Sequence, residues 1–415
     1  MANNNLKVLI IGAGIGGLTA AIGLRQQGHE VEVFERSRLA SEVGAAVHSA
    51  PNCTVLLNRL GLFPEEFGGT VYQGIAARDP EAELKLKISV EDEREHWLAQ
   101  YWLVHRIDLH NALKQKATTE DGAGLPVKLH TGCAVTNVDC ATATITLANG
   151  TTATGDLVIA ADGVHSVTRE TVVGGSYPTR SSGKCCYRWL MPYSSLADDP
   201  QLRGFAEEPG VMTEISGKDR RIVFYPCSDG QLMNCAGFVP VEEVGRIEKG
   251  WHQSGNKAEL IRSFSKFSPA VVRMLEKAPD NVAVWDLLDM EVLPTWINGR
   301  VALLGDAAHP FLPYMGQGAA QAVEDACTLA ALLPLGTTAH DISRRLQLYE
   351  RCRKERADWV QETTRSRGKD DTRRDMNELA TALNRCISFN AWENAISALR
   401  TEVGSEAAYH PESRI

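Results

Sequence analysis

The 415 residues contain no apolar stretch approaching the roughly 20 needed to span a bilayer; the longest, around Ala326–Leu335, has the length of a buried helix. The amino terminus lacks the basic start, apolar segment and small-residue cleavage site of a secretory leader, and Leu6–Ile11 already reads as a strand, so a cytoplasmic protein is expected. Positive charge is also short: 43 Lys and Arg stand against 52 Asp and Glu, a net charge of −9, and no basic stripe carries interleaved aromatics. That balance argues against nucleic acid as a partner and favours a small molecule. The ten cysteines include no C-x-x-C pair, and adjacent Cys185 and Cys186 suit neither zinc-ligand spacing nor a disulfide framework. Reduced thiols and no metal ligand set are expected. Internal repeats and low-complexity tracts are missing too. With 44% apolar and 23% charged residues, wholesale disorder is excluded, and the length predicts two or three folding units.

What is present begins with a strand, a glycine turn, a helix and a second strand. Lys7–Ile11 is a short apolar run, Ile15–Gln27 carries apolar residues at helical spacing, and Gly28 stops it before Val31–Glu35. Between Leu84 and Val90 the texture changes to strict alternation, with Leu84, Leu86, Ile88 and Val90 on one strand face. Short strands follow from Val127 to Ala161, with Asn149-Gly150 as a turn and Leu157–Ala161 as a buried run. Arg221–Tyr225 and Leu232–Val239 read as a hairpin joined through Ser228-Asp229-Gly230. Arg300–Leu304 returns to the buried-strand pattern and leads through a Gly/Pro-rich loop into a helix over Gly316–Leu333. From Arg344 to Asp375 charge of both signs is dense, which predicts a helix with a solvated face. The carboxyl-terminal tail is polar and reads as no anchor.

Three glycine-bearing turns carry the chemistry. Gly12, Gly14 and Gly17 satisfy G-x-G-x-x-G directly after a strand and at the opening of a helix, so a pyrophosphate can approach bare backbone at the positive helix end. Glu35, at the end of the next strand, can accept from ribose hydroxyls. This start serves NAD and FAD alike. Ala160-Ala161-Asp162-Gly163 closes another buried strand; Asp162 either caps the helix that follows or faces a ligand. The third turn, Gly305-Asp306, places an acid at a strand's carboxyl end, where it can bond the polyol chain that a flavin has between phosphate and ring. Pro313–Gly318 then offers backbone with little side-chain bulk, and the helix behind it aims its positive end where a reduced flavin carries negative charge.

These residues, together with His309-Pro310 and Gly316-Gln317-Gly318, resemble the three fingerprints of single-component, FAD-dependent aromatic hydroxylases of the para-hydroxybenzoate hydroxylase fold. The segments Glu42–Val47, Pro51-Asn52, Leu60–Leu62 and His105–Leu109 are similar to salicylate-hydroxylase-like monooxygenases, including fungal secondary-metabolite enzymes. The resemblance runs from residue 7 to about 330. It implies an α/β fold: a Rossmann-like FAD-binding domain (1–73, 99–178 and 281–335), a mixed or antiparallel-sheet substrate domain (74–98 and 179–280) and a C-terminal helical region (336–415). It also implies a cycle in which NADPH or NADH reduces FAD, oxygen adds at flavin C4a, and the hydroperoxide gives an electrophilic oxygen to an electron-rich aromatic, indole or phenolic substrate, hydroxylating or epoxidising it. By position, Gly12, Gly14, Gly17, Glu35 and Arg106 would bind the ADP half of FAD or its phosphates. Asp162 would serve FAD and nicotinamide, and Asp306 ribitol, while Pro313 and Gly316, Gln317 and Gly318 would face the ring. Arg36, Ala46, Val47 and Ala319 are further cofactor-binding candidates.

The sequence departs from the simplest pattern where Ala46 replaces an expected glycine and His48 follows Val47. His48 is then either a structural hydrogen-bonder or a catalytic, substrate-facing group. Alternation puts Tyr187 and Trp189 on one strand face and Arg188 on the other; Arg188 can hold a phenolate or carboxylate, and Tyr225 is a further pocket candidate. No cluster declares a catalytic base, so positioning is expected to dominate. The rival readings are an NAD-dependent dehydrogenase resting on the first turn alone, a same-fold flavin-dependent reductase or halogenase, and a non-catalytic flavin-binding protein. The halogenase motif Trp-x-Trp-x-Ile-Pro is missing, since Tyr187–Pro192 reads YRWLMP. A monomer or homodimer is expected.

Overall fold

The computed structural model describes residues 5–38, 45–244, 254–369 and 376–403. Glu42, Val43 and Gly44 of the motif after the second strand, the end of the charged stretch at 370–375 and the polar tail lie outside them.

A six-stranded sheet runs in the order Ile297–Asn298, Val301–Leu303, Leu157–Ala160, Lys7–Ile11, Glu30–Glu35, Lys128–Thr131. All its pairings are parallel except that of the first two strands. Its central strands are near-continuous apolar runs because both faces are covered: Val8, Leu9, Ile10, Val158 and Ile159 have no exposed surface. The helices Ile15–Gln26 and Gly318–Leu332 pack against it within one core. The adjacency of Val301–Leu303, Leu157–Ala160 and Lys7–Ile11 matters most for function. It sets the three predicted turns side by side at the carboxyl ends of neighbouring parallel strands, with Glu35 at the end of the next, which is where ligands of such sheets bind.

The second sheet has eight strands in the order Ser254–Asn256, Asn281–Asp289, Arg180–Pro192, Leu232–Pro240, Arg221–Cys227, Val211–Ser216, Gly74–Arg78, Leu84–Ser89. It is antiparallel except between Val211–Ser216 and Gly74–Arg78. The predicted hairpin is there, turning through left-handed Ser228, Asp229 and Gly230. Leu84–Ser89 is an edge strand, and its alternating apolar residues Leu84 and Ile88 are exposed rather than buried. A third, three-stranded sheet contains Ala46–Ser49, Thr70–Val71 and Trp102–His105 and carries His48 into the space between the other two.

The charged stretch forms a helix, Ile342–Gly368, but it is not simply a solvated rod. One face is buried and includes Arg353, which has no exposed surface. Arg353 Nε donates to Asp325 Oδ1 at 2.8 Å, and its Nη1 bonds Glu324. Burial by itself would raise the affinity of both acids for protons; the facing guanidinium and, for Asp325, His309 hold both carboxyls below their ordinary range. Charge density predicted solvent because it registers charges and not their partners.

Candidate active site

One cavity of about 1780 Å³ runs from the glycine turns to the eight-stranded sheet. Single small-molecule sites usually occupy roughly 300–1000 Å³, so this space accommodates a dinucleotide and a second ligand. Every predicted site residue lines it except Gln317.

At the first turn Gly12 adopts φ +99°, and a Cβ there would lie 2.4 Å from the Ala161 carbonyl oxygen. Gly14 caps the helix without a side-chain bond, and a Cβ on it would meet nothing within 4 Å. Backbone N–H groups of the first helical turn are left without intrahelical acceptors and face open space. Glu35 steadies this turn, accepting from the Ala13 N–H at 2.9 Å and the Ser37 N–H at 2.7 Å. Arg36 is exposed at the rim. These features fit a pyrophosphate and its ribose.

Asp162 fastens the loop before the short helix Arg169–Val173 while also lining the cavity: Oδ2 accepts from the Val167 and Thr168 N–H groups at 2.9 and 3.2 Å, and the Thr168 hydroxyl donates to both carboxylate oxygens at 3.1 Å. Asp306 differs. Its carboxylate accepts no hydrogen bond from the described residues, and burial pushes its pKa up against the opposing pull of His309, Arg169 and Arg106. A half-buried acid that lines the cavity and takes no hydrogen bond from the described residues offers its oxygens to polyol hydroxyls. Arg169 holds the strand exit, donating to the Ala307 and Asp306 carbonyls at 2.7 and 3.0 Å.

The ring loop turns at Gly316, where φ is +62° and a Cβ would sit 3.0 Å from His48 Cγ. Gly318 has open space around it, and Pro313 and Ala319 also face the cavity. Gln317 departs from expectation: it does not line the cavity, and its side chain is held elsewhere, accepting from Asn52 Nδ2 at 3.0 Å and Gln321 Nε2 at 3.2 Å. Spacing predicts position on a loop, not the direction in which a side chain leaves it.

Opposite the ring loop stand His48, Tyr101, Tyr225 and Arg188. His48 Nδ1 lies 2.9 Å from the Tyr101 hydroxyl, and the His48 ring meets that of Tyr225 edge-on at 4.7 Å. Burial, then the neighbouring Arg188 charge, push the His48 pKa down to about 4. Arg188 faces the cavity while Tyr187 and Trp189 are buried in the core behind the sheet, as alternation predicts. Its guanidinium lies 5.7 Å from the Trp285 ring, within cation–π range. Sequence reasoning missed Tyr101, Trp285 and the Glu324–Asp325–Arg353 cluster. The available signal for the last was a pair of adjacent acids inside an otherwise apolar helix.

The FAD binding domain family matches residues 5–364, most of the chain. The protein belongs to the FAD binding domain family. Within it, the chain is 37% identical to hispidin-3-hydroxylase of Neonothopanus nambi, over 86% of this chain and 87% of the relative. It is 34% identical to the 3-amino-4-hydroxybenzoate 2-monooxygenase of Streptomyces cremeus, over 80% of each. A salicylate hydroxylase solved with its substrate superimposes with a TM-score of 0.79 at 26% identity, covering 96% of this chain and 98% of that one. This family member is an FAD-dependent monooxygenase with NAD(P)H as its reductant. The dehydrogenase reading gives way with that, because the first turn forms only part of a cavity that Asp306 and the ring loop complete.

Proposed function

We propose that the protein hydroxylates an electron-rich aromatic or phenolic small molecule held between the ring loop and Arg188. Each turnover consumes one substrate C–H, one O2, one NAD(P)H and one proton, and yields the hydroxylated ring, water and NAD(P)+. FAD, when bound, supplies the redox chemistry, taking up hydride and delivering one oxygen atom of O2. Gly12, Gly14, Gly17, Glu35, Arg36 and Arg106 hold its ADP half, Asp306 its ribitol, and Pro313, Gly316, Gly318 and Ala319 its ring, beside Ala46 and Val47. Asp162 shapes the turn next to them. The six-stranded sheet with its helices forms the FAD-binding part and the eight-stranded sheet the substrate part, a division supported by the sheet membership of 74–98 and 179–280, although the strand Asn281–Asp289, expected in the FAD-binding domain, belongs to the eight-stranded sheet.

The observation that carries this reading is the meeting of His48, Arg188 and Gly316 in one cavity. A ring hydroxyl placed there meets a neutral imidazole that accepts its proton and a guanidinium that offsets the charge left on oxygen. Such a phenolate would also cancel part of the repulsion that depresses His48. Relatives named for 3-amino-4-hydroxybenzoate and 6-hydroxynicotinate support a hydroxylated ring. Tyr225 acts through position, since its hydroxyl is bonded to backbone. We infer a cytoplasmic monomer or homodimer without nucleic-acid or membrane partners. The acidic balance, the ten free cysteines and the absence among described residues of a helix able to cross a membrane support that inference. The test is a panel of phenols, indoles and hydroxylated aromatic acids scored for NAD(P)H consumption, peroxide release and oxygenated product. Consumption ending only in peroxide for every phenolic compound would sink the substrate class.

A further inference from the structure

The cavity has a wall contributed by the region after residue 336, to which no role attaches above. The helix Met376–Ile387 presents Ala380, Leu383, Asn384 and Ile387 to it. Spacings of three and four residues place all four on one helix face. Ile387 is buried in a cluster with Met315 of the ring loop and Ala50, two residues past His48, and Leu383 packs against the same cluster. Asn384 is exposed on this side, and its carboxamide makes no hydrogen bond with the described residues.

The far end of the helix is fastened. Arg356 donates to the Cys386 carbonyl at 2.8 Å and the Arg385 carbonyl at 3.3 Å, supplying donors where the last carbonyls of a helix have none of their own. The same guanidinium grips Glu324 with two bonds of 2.8 Å, and Glu324 accepts from Asn52 at 2.6 Å. Arg356 therefore joins this wall to the helix that follows the ring loop.

We propose that Met376–Ile387 is the specificity wall of the substrate cavity: Leu383 and Ile387 limit the size of the ring system admitted, and the Asn384 carboxamide hydrogen-bonds a polar substituent on it. Arg356 is the positioning residue. A carboxamide both donates and accepts, so it matches a ring hydroxyl or carbonyl. The apolar pair discriminates by shape. The proposal rests on the reading of this cavity as the substrate site.

The test uses holoenzyme, with phenol and 4-hydroxystilbene as one- and two-ring probes read by perturbation of flavin absorbance, and iodide as a quencher of flavin fluorescence. Leu383→Trp is expected to weaken 4-hydroxystilbene binding by about tenfold or more and phenol binding far less. Asn384→Leu weakens the binding of hydroquinone, whose second hydroxyl is free of His48 and Arg188, more than that of phenol. Leu383→Gly and Arg356→Met open the wall and raise the iodide quenching constant, with Arg356→Lys recovering part of the protection, while FAD content stays at the wild-type level. Should none of these probes perturb the wild-type flavin, the iodide comparison decides alone. FAD-replete variants with wild-type probe binding and wild-type quenching overturn the proposal. A wild-type protein that holds FAD but turns over no aromatic compound refutes the substrate reading instead, a different outcome.

Discussion

The Tyr225 hydroxyl donates to the Ala46 carbonyl at 3.0 Å, while the Ala46 N–H donates to Asn234 Oδ1 at 2.8 Å. Tyr225 and Asn234 are register partners on adjacent strands of the eight-stranded sheet, so both backbone groups of Ala46 are clamped by that sheet. Tyr225→Phe leaves a buried carbonyl unsatisfied and should destabilise the fold by about 1–3 kcal/mol. It should also lower kcat/KM by loosening the strand that carries His48, with FAD retained. Denaturant unfolding and steady-state kinetics check this; unchanged values in both would show the clamp to be dispensable.

Gly12 and Gly14 should respond oppositely to side chains. Gly12→Ala meets the Ala161 carbonyl at 2.4 Å in a left-handed conformation, and is expected to lower the melting temperature of the apoprotein. Gly14→Val enters open space and should leave the apoprotein melt nearly unchanged while abolishing FAD retention. Flavin content and apoprotein melting, measured side by side, separate the two.

Asp306→Ala removes the acceptor facing the cavity. Hydrogen bonds to a charged group contribute roughly 1.5–3 kcal/mol, so FAD affinity should fall on the order of 10–100-fold. Because burial disfavours this carboxylate, the empty variant should be no less stable than the wild type. Equilibrium dialysis against FAD gives the first number and thermal melting of apoprotein the second.

Arg188→Met should leave FAD bound and reduce coupling, with product per NAD(P)H consumed falling about tenfold or more as an interaction with developing phenolate is lost. Stoichiometric comparison of NAD(P)H consumed with product formed measures it. Full coupling in this variant would move the anchoring role elsewhere.

The depressed His48 pKa predicts a pH effect of defined sign. An unfolded histidine titrates near 6.5, whereas the folded one binds its proton only near pH 4. The unfolded chain therefore takes up the extra proton between those values. Stability from this group is present above about 6.5 and is lost as pH falls toward 4. Apoprotein melting temperature should drop more steeply from pH 7 to 4.5 in the wild type than in His48→Gln. Equal slopes would assign the proton uptake to other groups.

Much of this arrangement was legible in the sequence, for identifiable reasons. Strand ends with glycine and acid are local signals, so the turns at Gly12, Asp162 and Asp306 could be read, and parallel pairing then brought them together. Alternation at Tyr187, Arg188 and Trp189 fixed which side chain faces the cavity, because a strand has only two faces. Gln317 and Arg353 were not legible, since each owes its direction to partners far along the chain: Asn52 for the first, Glu324 and Asp325 for the second. The Met376–Ile387 wall escaped for the same reason. Its residues are unremarkable on their own helix and gain meaning from Met315 and Ala50.

The neighbouring parallel strands that gather the three turns come from the start, the middle and the last third of the chain. A growing polypeptide emerging from the ribosome owns the phosphate cradle long before it owns the ribitol acid and the ring loop. Flavin capture must therefore wait until the ring loop has been made, and products truncated before it, however well their early strands fold, leave the cofactor without a complete berth.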